Sequence, residues 1–463
     1  MTTIERDFTR GPLKRQMLHF SLPLIFTNLL QILFNLTDIA VVGRFAGSLA
    51  LGAVGSTSTL VALFTALLLG MGSGTGIVIA RCLGARSDRD THEAVHTAFL
   101  LSVSAGTAMM LLGIGLAEML LRLMHTRDEM LADAVRYLRI YCLGLPGVAM
   151  YNFGKAVFSA MGEARRPFLI LLTVGVLNVA LNLVTVIVLH MGVTGVAIAS
   201  VVSQYVSCAL VIRLLMRHKG SCAFQWKRVH LYWSKGREIL SLGVISGLQE
   251  SAFAIANLYL QTAVNSFDAD TVAGHTAALN ADTITFAIMF AFWTASQSLM
   301  GQNLGAGNRR RFHQAYGTAL LYTFLTGVVC GSLLLLFGRE FLSLFTNEPA
   351  VVERGLYRLY ILGASYPLCV LQDTSVHALH TLGKKLVPTV ISLFSVIVFR
   401  TIWLLTVFAH YQTLLSLYLL YPCSFVISGI LDGLYLWRCD RKYWNARAAL
   451  KPASGHADAS EAD

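Results

Sequence analysis

Four acidic residues stand inside long apolar stretches of the chain: Asp38, Glu250, Asp373 and, seven residues after His275, Asp282. Three of them share a helix face with amides or imidazoles. Asn28, Gln31, Asn35 and Asp38 recur at heptad-like spacing and cover an arc of about 80° on one helix. Glu250, Asn257 and Gln261 lie within roughly 60° of one another, as do Asp373, His377 and His380, and as do Asn178, Asn182 and Thr185 on a helix without an acid. A charge inside a bilayer costs a few kcal/mol or more, so each of these acids needs a partner, water or a purpose. Two chemistries suit them. A carboxylate removed from bulk water can take up and release a proton, and one flanked by amide and hydroxyl oxygens can hold Na⁺. Either links the site to an ion gradient, and one charge crossing 100 mV releases ~2.3 kcal/mol, equivalent to about fiftyfold in solute concentration. Interhelical hydrogen bonding, worth ~0.6–2 kcal/mol, is the bland account of the amides alone. Arg400 is expected to neutralise one of the acids. Asp432, Glu118 and Glu340 lie near the ends of apolar runs, where interfacial water lowers their cost, and are assigned no role.

The elements that hold these residues follow from composition. Of 463 residues, 55% are apolar and 13% charged, against ~25% charged in a soluble domain. A soluble globule, a disordered chain and a collagen-like repeat are all excluded. The fold class is an all-α polytopic membrane protein, because only segments that close their own backbone hydrogen bonds can cross lipid in such runs. At ~20 residues per span the length accommodates twelve helices. The runs predict them near 17–42, 49–73, 92–117, 130–152, 167–189, 192–215, 237–263, 275–299, 313–337, 351–376, 387–409 and 412–437. Most Lys and Arg fall in the two tails and the even-numbered loops, which places both termini in the cytoplasm. The net charge of +11 is therefore topological, and its dispersal over many loops excludes a nucleic-acid partner. The 8 Cys form no C-x-x-C pair and read as packing thiols. The first 20 residues carry no A-x-A cleavage pattern, so the first span is expected to act as the targeting signal.

The chain also repeats itself. A shift of 221 residues aligns RDTHEAVHTAFL (89–100) with RRFHQAYGTALL (310–321), identical at six of twelve positions, and pairs Pro146 with Pro367, Gly162 with Gly383 and Pro167 with Pro388. Six spans per half give parallel repeats, the kind that secondary transporters rock about a central site. The expected organisation is a cytoplasmic N-terminal segment (1–15), a first lobe (16–215), a basic and aromatic linker (216–236), a second lobe (237–437) and a partly disordered cytoplasmic tail (438–463). No P-loop, metal cluster, prenyl-phosphate motif or nucleophile triad occurs in the sequence, so an enzyme or ATP-driven pump lacks its chemistry.

Several stretches resemble the multidrug and toxic compound extrusion (MATE) family: Pro23 with Asn28-Leu29-Leu30-Gln31, Asn35-Leu36-Thr37-Asp38 and Val42-Gly43-Arg44-Phe45-Ala46-Gly47, then GQNLGAG at 301–307, IARCLGAR at 79–86 and GEARRP at 162–167. The resemblance implies two pseudo-symmetric six-helix lobes in a V. It also implies a monomer in a bacterial-type plasma membrane that exports amphipathic, often cationic, drug-like molecules in exchange for Na⁺ or H⁺, with no other cofactor. It further implies a coupling site at Asp38, Asn178, Asn182 and Ser200, the first three as possible Na⁺ ligands. Asn182 stands where a second acid is often found and Ser200 where the family has Thr. One carboxylate in place of two lowers the expected Na⁺ affinity or makes Asp38 mainly a proton carrier. Glu250 is similar to an acid of the second lobe in other members, and Asp373 lies near the corresponding partner. Gln31, Asn35, Glu250, Asn257, Gln261, Asp282, Asp373 and His377 are expected to line the substrate cavity. A lipid-linked precursor flippase is the alternative, disfavoured because acids and amides, not basic groups, are expected in that cavity. A membrane-embedded enzyme or a receptor is more distant still.

Overall fold

The computed structural model describes residues 7–45 and 47–449, with the side chains of Ser48, Ala254, Ile255, Asn257, Leu258 and Tyr259 outside that description. The expected disorder of the tail lies outside the described residues from 450 onward. The first repeat comprises α1 (Leu13–Phe45), α2 (Ser48–Gly84), α3 (Asp88–Leu123), α4 (Asp128–Leu143), α5 (Leu145–Ala160), α6 (Arg165–Leu183) and α7 (Gly192–Arg217). The second comprises α8 (Trp233–Val264), α9 (Ala269–Gly305), α10 (Arg309–Ser343), α11 (Pro349–Thr381), a broken span of α12 (Leu386–Leu393), α13 (Arg400–Trp403) and α14 (Ala409–Tyr411), and α15 (Leu414–Tyr418) leading into α16 (Leu420–Ala449). Nine of the helices among the described residues are long and apolar enough to cross a membrane by length and composition.

The fourth span departs from the single helix expected over 130–152. It divides at Gly144 into α4 and α5, with Pro146 in the first turn of α5, where its missing N–H breaks no helical bond. The helix then runs on to Ala160, eight residues past the expected end. Spans five and eleven widen into π-helical turns at Val184–Val188 and at Phe394–Phe399 and Leu404–Phe408; no pattern of apolar residues announces these.

The duplication is written into the backbone. Arg86 and Gly307, 221 positions apart, both take positive φ (54° and 73°), as do Gly162 and Gly383 (75° and 77°). Just after the first pair, Ser87 caps α3 by accepting from the Asp90 amide and Asn308 caps α10 by accepting from the Arg311 amide. Each cap satisfies an otherwise orphaned N–H at the start of a long helix.

The two lobes meet at the end that carries both termini. On α2, a Cβ at Gly74 would stand 2.7 Å from the Gly243 nitrogen and 2.8 Å from the Ile239 carbonyl of α8, and Gly70 lies equally close against Gly247. Gly84 abuts the Gln302 backbone and Gly305 abuts the Arg81 carbonyl. Polar bonds complete the seam. Arg81 pairs with Glu238, Lys235 Nζ lies 2.7 Å from Asp90, and Gln302 Nε2 donates to the Ala160 carbonyl at 2.7 Å. The segment before α1 is stitched to the second lobe: the Phe8 amide donates to Gln302 Oε1 (2.9 Å), and Arg311 donates to the carbonyls of Phe8 and Gly11. Gln302 and Asn303, both from GQNLGAG, thus serve the closure. Midway along the helices Asn28 Nδ2 reaches the Ala287 carbonyl at 2.9 Å. Beyond that level no interlobe hydrogen bond occurs among the described residues, and the lobes splay apart.

Replacing Gly74 with Val drives a branched side chain into main chain that has no room to yield, an overpacking cost of about 1–3 kcal/mol. The expected outcome is a lower thermal midpoint in detergent and a longer distance between spin labels placed on α2 and α8 at the closed end; an unchanged distance would refute the glycine seam.

Candidate functional site

Asp38 lies in the last third of α1, where that helix packs on α6. Asn182 Nδ2 donates to Asp38 Oδ1 at 2.6 Å and to Asn178 Oδ1 at 3.2 Å, so three predicted residues come together through one amide. Asn182 is fully buried and its Oδ1 has no hydrogen-bond partner among the described residues. A buried carbonyl oxygen without a donor loses the solvation it had in water. With a carboxylate and a second amide oxygen beside it, the set offers the oxygen ligands of a hard cation. Thr185, in the π-helical turn, spends its hydroxyl on the Leu181 carbonyl at 2.9 Å. Ser200 is buried on α7, and no hydrogen bond joins it to Asp38 among the described residues. Gln31 and Asn35 are exposed on α1 and lie outside the central cavity.

That cavity, of about 390 Å³, sits mostly in the second lobe and is closed on one side by Ser73, Asn152 and Lys155 of the first. Glu250 (α8), Asp282 (α9), Asp373 and His377 (α11) line it as expected, with Phe286, Phe290 and Trp293 as apolar wall. His377 is held by Gln297, whose Nε2 lies 2.5 Å from Nδ1, and by the Trp293 ring stacked at 5.8 Å. Asp373 is within electrostatic reach of Glu250. Asn257 lies outside the described side chains. Gln261 is absent from the cavity wall and donates to Asn265 Oδ1 at 2.9 Å near the end of α8.

Three readings of the sequence need correction. Arg400 pairs with no acid among the described residues: it rests on the Tyr421 ring, 4.6 Å from its centroid, with Nε and Nη2 at 3.4 and 3.3 Å from Ser424 Oγ. The neutralising cation is Arg358, fully buried, which grips Asp282 Oδ2 while Tyr366 OH donates to Oδ1 at 2.5 Å. His275 is part of this network, its Nδ1 lying 3.4 Å from Arg358 Nη1 and 3.1 Å from Tyr418 OH. Second, Asp432 is not interfacial: it is fully buried on α16, takes a 3.2 Å bond from Ser428 and lies within electrostatic reach of Asp373. Third, the cavity is not a chamber of acids and amides, because Lys155, Arg358 and Arg400 face it beside Glu250, Asp282 and Asp373. Lys155 was hidden by the fourth span, which continues beyond its expected end. Arg358 stands inside the tenth apolar run, and its being a charge at that depth was the signal.

Parallel repeats of six spans, joined at one end around a polar cavity, define a polytopic transporter. The MatE family model matches the chain twice, over residues 23–184 and 246–405, and the chain belongs to that family. Its relatives include "Probable multidrug resistance protein YpnP" of Bacillus subtilis, 28% identical over 394 residues, covering 85% of this chain and 88% of the relative. The "FAD transporter" of Shewanella oneidensis is 23% identical over 387 residues, covering 81% and 85%. Among solved structures, "Crystal structure of MATE in the bent conformation" superposes with a TM-score of 0.89 at 22% identity over 97% of this chain and 100% of that one. An "Outward-facing conformation of a multidrug resistance MATE family transporter of the MOP superfamily" gives 0.89 at 22% over 96% and 99%. The protein is a membrane transporter of the multidrug-efflux type and not an enzyme.

Breaking the Asp282–Arg358 pair from one side leaves a buried charge uncompensated, which costs about 3–5 kcal/mol. Asp282→Asn is expected to lower the thermal midpoint sharply, and Asp282→Leu combined with Arg358→Met to recover most of the loss. A double variant as unstable as the single one would contradict this pairing.

Proposed function

We propose that this transporter is an antiporter that exports amphipathic small molecules, cations among them, in exchange for Na⁺ or H⁺. The observation that carries the proposal is a contrast among the half-buried acids inside the spans. Asp282 has its arginine, whereas Asp38, Glu250 and Asp373 form no ion pair with Lys or Arg among the described residues. In a low-dielectric setting such carboxylates call for a mobile cation or a proton. The distribution of Lys and Arg supports placing the terminus-bearing end in the cytoplasm. The seam then closes the cytoplasmic side of a bacterial-type plasma membrane protein, and the splayed lobes open outward.

In this state Asp38 is half-buried and is the member of the set that external ions meet first, with Asn178 and Asn182 buried behind it. Filling that site, by ion or proton, removes the demand that holds Asn182 against Asp38 and changes how α1 packs on α6. Because α1 also touches α9 through Asn28, the shift passes to the cavity wall and favours release of cargo. Loading from the cytoplasm requires the seam at Arg81–Glu238 and Gln302 to part, and cargo binding in that state favours loss of the ion. A cavity of about 390 Å³ falls in the size range of drug-binding pockets. Glu250 and Asp373 are the carboxylates available to an ammonium group. The protein works as a monomer, since each chain encloses its own cavity.

Asp38→Asn in proteoliposomes is expected to reduce gradient-driven efflux of an ethidium-type dye at least tenfold, under separately imposed sodium and pH gradients. Full counter-transport with unchanged ion dependence would overturn the assignment. Glu250→Gln is expected to weaken binding of the cationic dye while leaving an uncharged dye of the same ring system unaffected, measured by fluorescence titration.

A further inference from the structure

Arg400 is a cavity charge that the antiport reading leaves unused. It is 5% exposed, and a buried guanidinium is costly unless an anion accompanies it. Arg358 shows how this protein meets that cost, with Asp282 against its head. Arg400 has no such arrangement. No carboxylate among the described residues comes within ion-pair distance, and the charged neighbour near enough to act on it is Arg358, another cation. Its polar contact is one hydroxyl, Ser424 Oγ, shared between Nε and Nη2 at 3.4 and 3.3 Å. A guanidinium carries five N–H donors, so those on Nη1 and the second on Nη2 remain available where the side chain faces the cavity.

The geometry around it is fixed. The Tyr421 ring beneath Arg400 holds the head in place by a cation–π contact. Helix packing does not demand a cation here, for the equivalent position in the first repeat, 221 residues earlier, is Val179. Lys155 brings a further positive charge to the same cavity from the opposite lobe and makes no ion pair among the described residues. The aromatic wall of Phe286, Phe290 and Trp293 suits a flat ring.

We infer that Arg400, braced by Tyr421 and Ser424, is an anion subsite of the transport cavity, which takes the oxyanion of a planar aromatic substrate while the ring lies against the aromatic wall. A carboxylate matches the planar fork of the guanidinium bidentately. The cavity therefore accepts aromatic anions as well as cations, each at its own pole: Arg400 for one, Glu250 and Asp373 for the other. The inference rests on the proposed role of this cavity as the cargo site but not on ion coupling.

The test is equilibrium binding to the purified full chain in detergent, with no gradient, using two probes that share one ring: a pyrene carboxylate and a pyrenylmethylammonium. The wild type is expected to bind both. Arg400→Gln is expected to weaken the carboxylate at least tenfold and leave the ammonium within about twofold, with Arg400→Lys recovering part of the loss. Retained ammonium binding doubles as the check that the variant is folded. Where Arg400→Gln does not give a monodisperse protein, Ser424→Asp serves instead: it places an internal carboxylate on Arg400 and is expected to exclude the carboxylate probe alone. Equal weakening of both probes, no effect on either, or a wild type that ignores the carboxylate overturns the subsite. Those results leave dye efflux and its ion dependence standing, whereas loss of ion-driven efflux at Asp38 leaves the probe selectivity measurable.

Discussion

The cost of stripping water from charge governs this molecule. In a soluble protein a stray carboxylate finds solvent; inside twelve packed spans it must find a counter-charge, a proton or an ion. The protein answers in different ways at different sites. Asp282 is bound permanently by Arg358 and Tyr366. Among the described residues Asp38 has one neutral donor, Asn182, while Glu250 and Asp373 line the cavity without an ion pair to the Lys and Arg that also face it. Permanent pairing makes a strut and incomplete pairing makes a place where something mobile belongs. The division between scaffold and working site therefore follows from which acids the chain has chosen to neutralise itself.

The closed seam obeys a related economy. Glycines let α2 and α8 approach to main-chain contact, which gives tight packing with little side-chain entropy to lose at those positions. Around it lie exchangeable polar bonds, Arg81 with Glu238 and Gln302 with Phe8 and Ala160. A gate must be stable enough to seal yet separable at a cost that ion and cargo binding can meet, and small residues edged by an ion pair and a few hydrogen bonds fit both needs. Some hydrophobic cores lie within one lobe, whereas another packs Leu13, Met17, Phe20 and Leu24 of α1 against α9, α10, α11 and α16 of the second lobe, so apolar surface as well as polar bonds must yield when the lobes part.

Much of this was legible in the chain. Apolar runs fixed the number and order of the spans, because lipid forces every segment to be long and self-bonded. The 221-residue repeat seen in the sequence recurs in the backbone as paired positive-φ residues and helix caps, even where the residue types differ, as at Arg86 and Gly307 or Ser87 and Asn308. Asp38, Asn178 and Asn182 meet through the Asn182 amide, a set that the family resemblance implied while spacing alone placed them on two separate polar faces. Pairings set by depth and by neighbouring helices were not legible. Arg358 and Arg400 differ in nothing local, and only the packing of α9, α11 and α16 decides that one receives Asp282 and the other Tyr421. Lys155 was lost because hydropathy ended the fourth span too soon, and the π-helical turns leave no periodic trace. Gln31 and Asn35 share the face of Asp38 but are exposed on α1 and are not part of the cavity lining.

The central claim is that cargo and a coupling ion compete through the unneutralised acids of one transport cycle. Linkage makes such competition reciprocal, so it is visible at equilibrium. Dye affinity should be measured on the purified protein while Na⁺ is varied at fixed pH and pH is varied at fixed Na⁺. The account predicts that raising the concentration of one of these cations weakens dye binding, and that the dependence disappears when Asp38 is replaced by Asn. Dye affinity that is indifferent to both cations would contradict it.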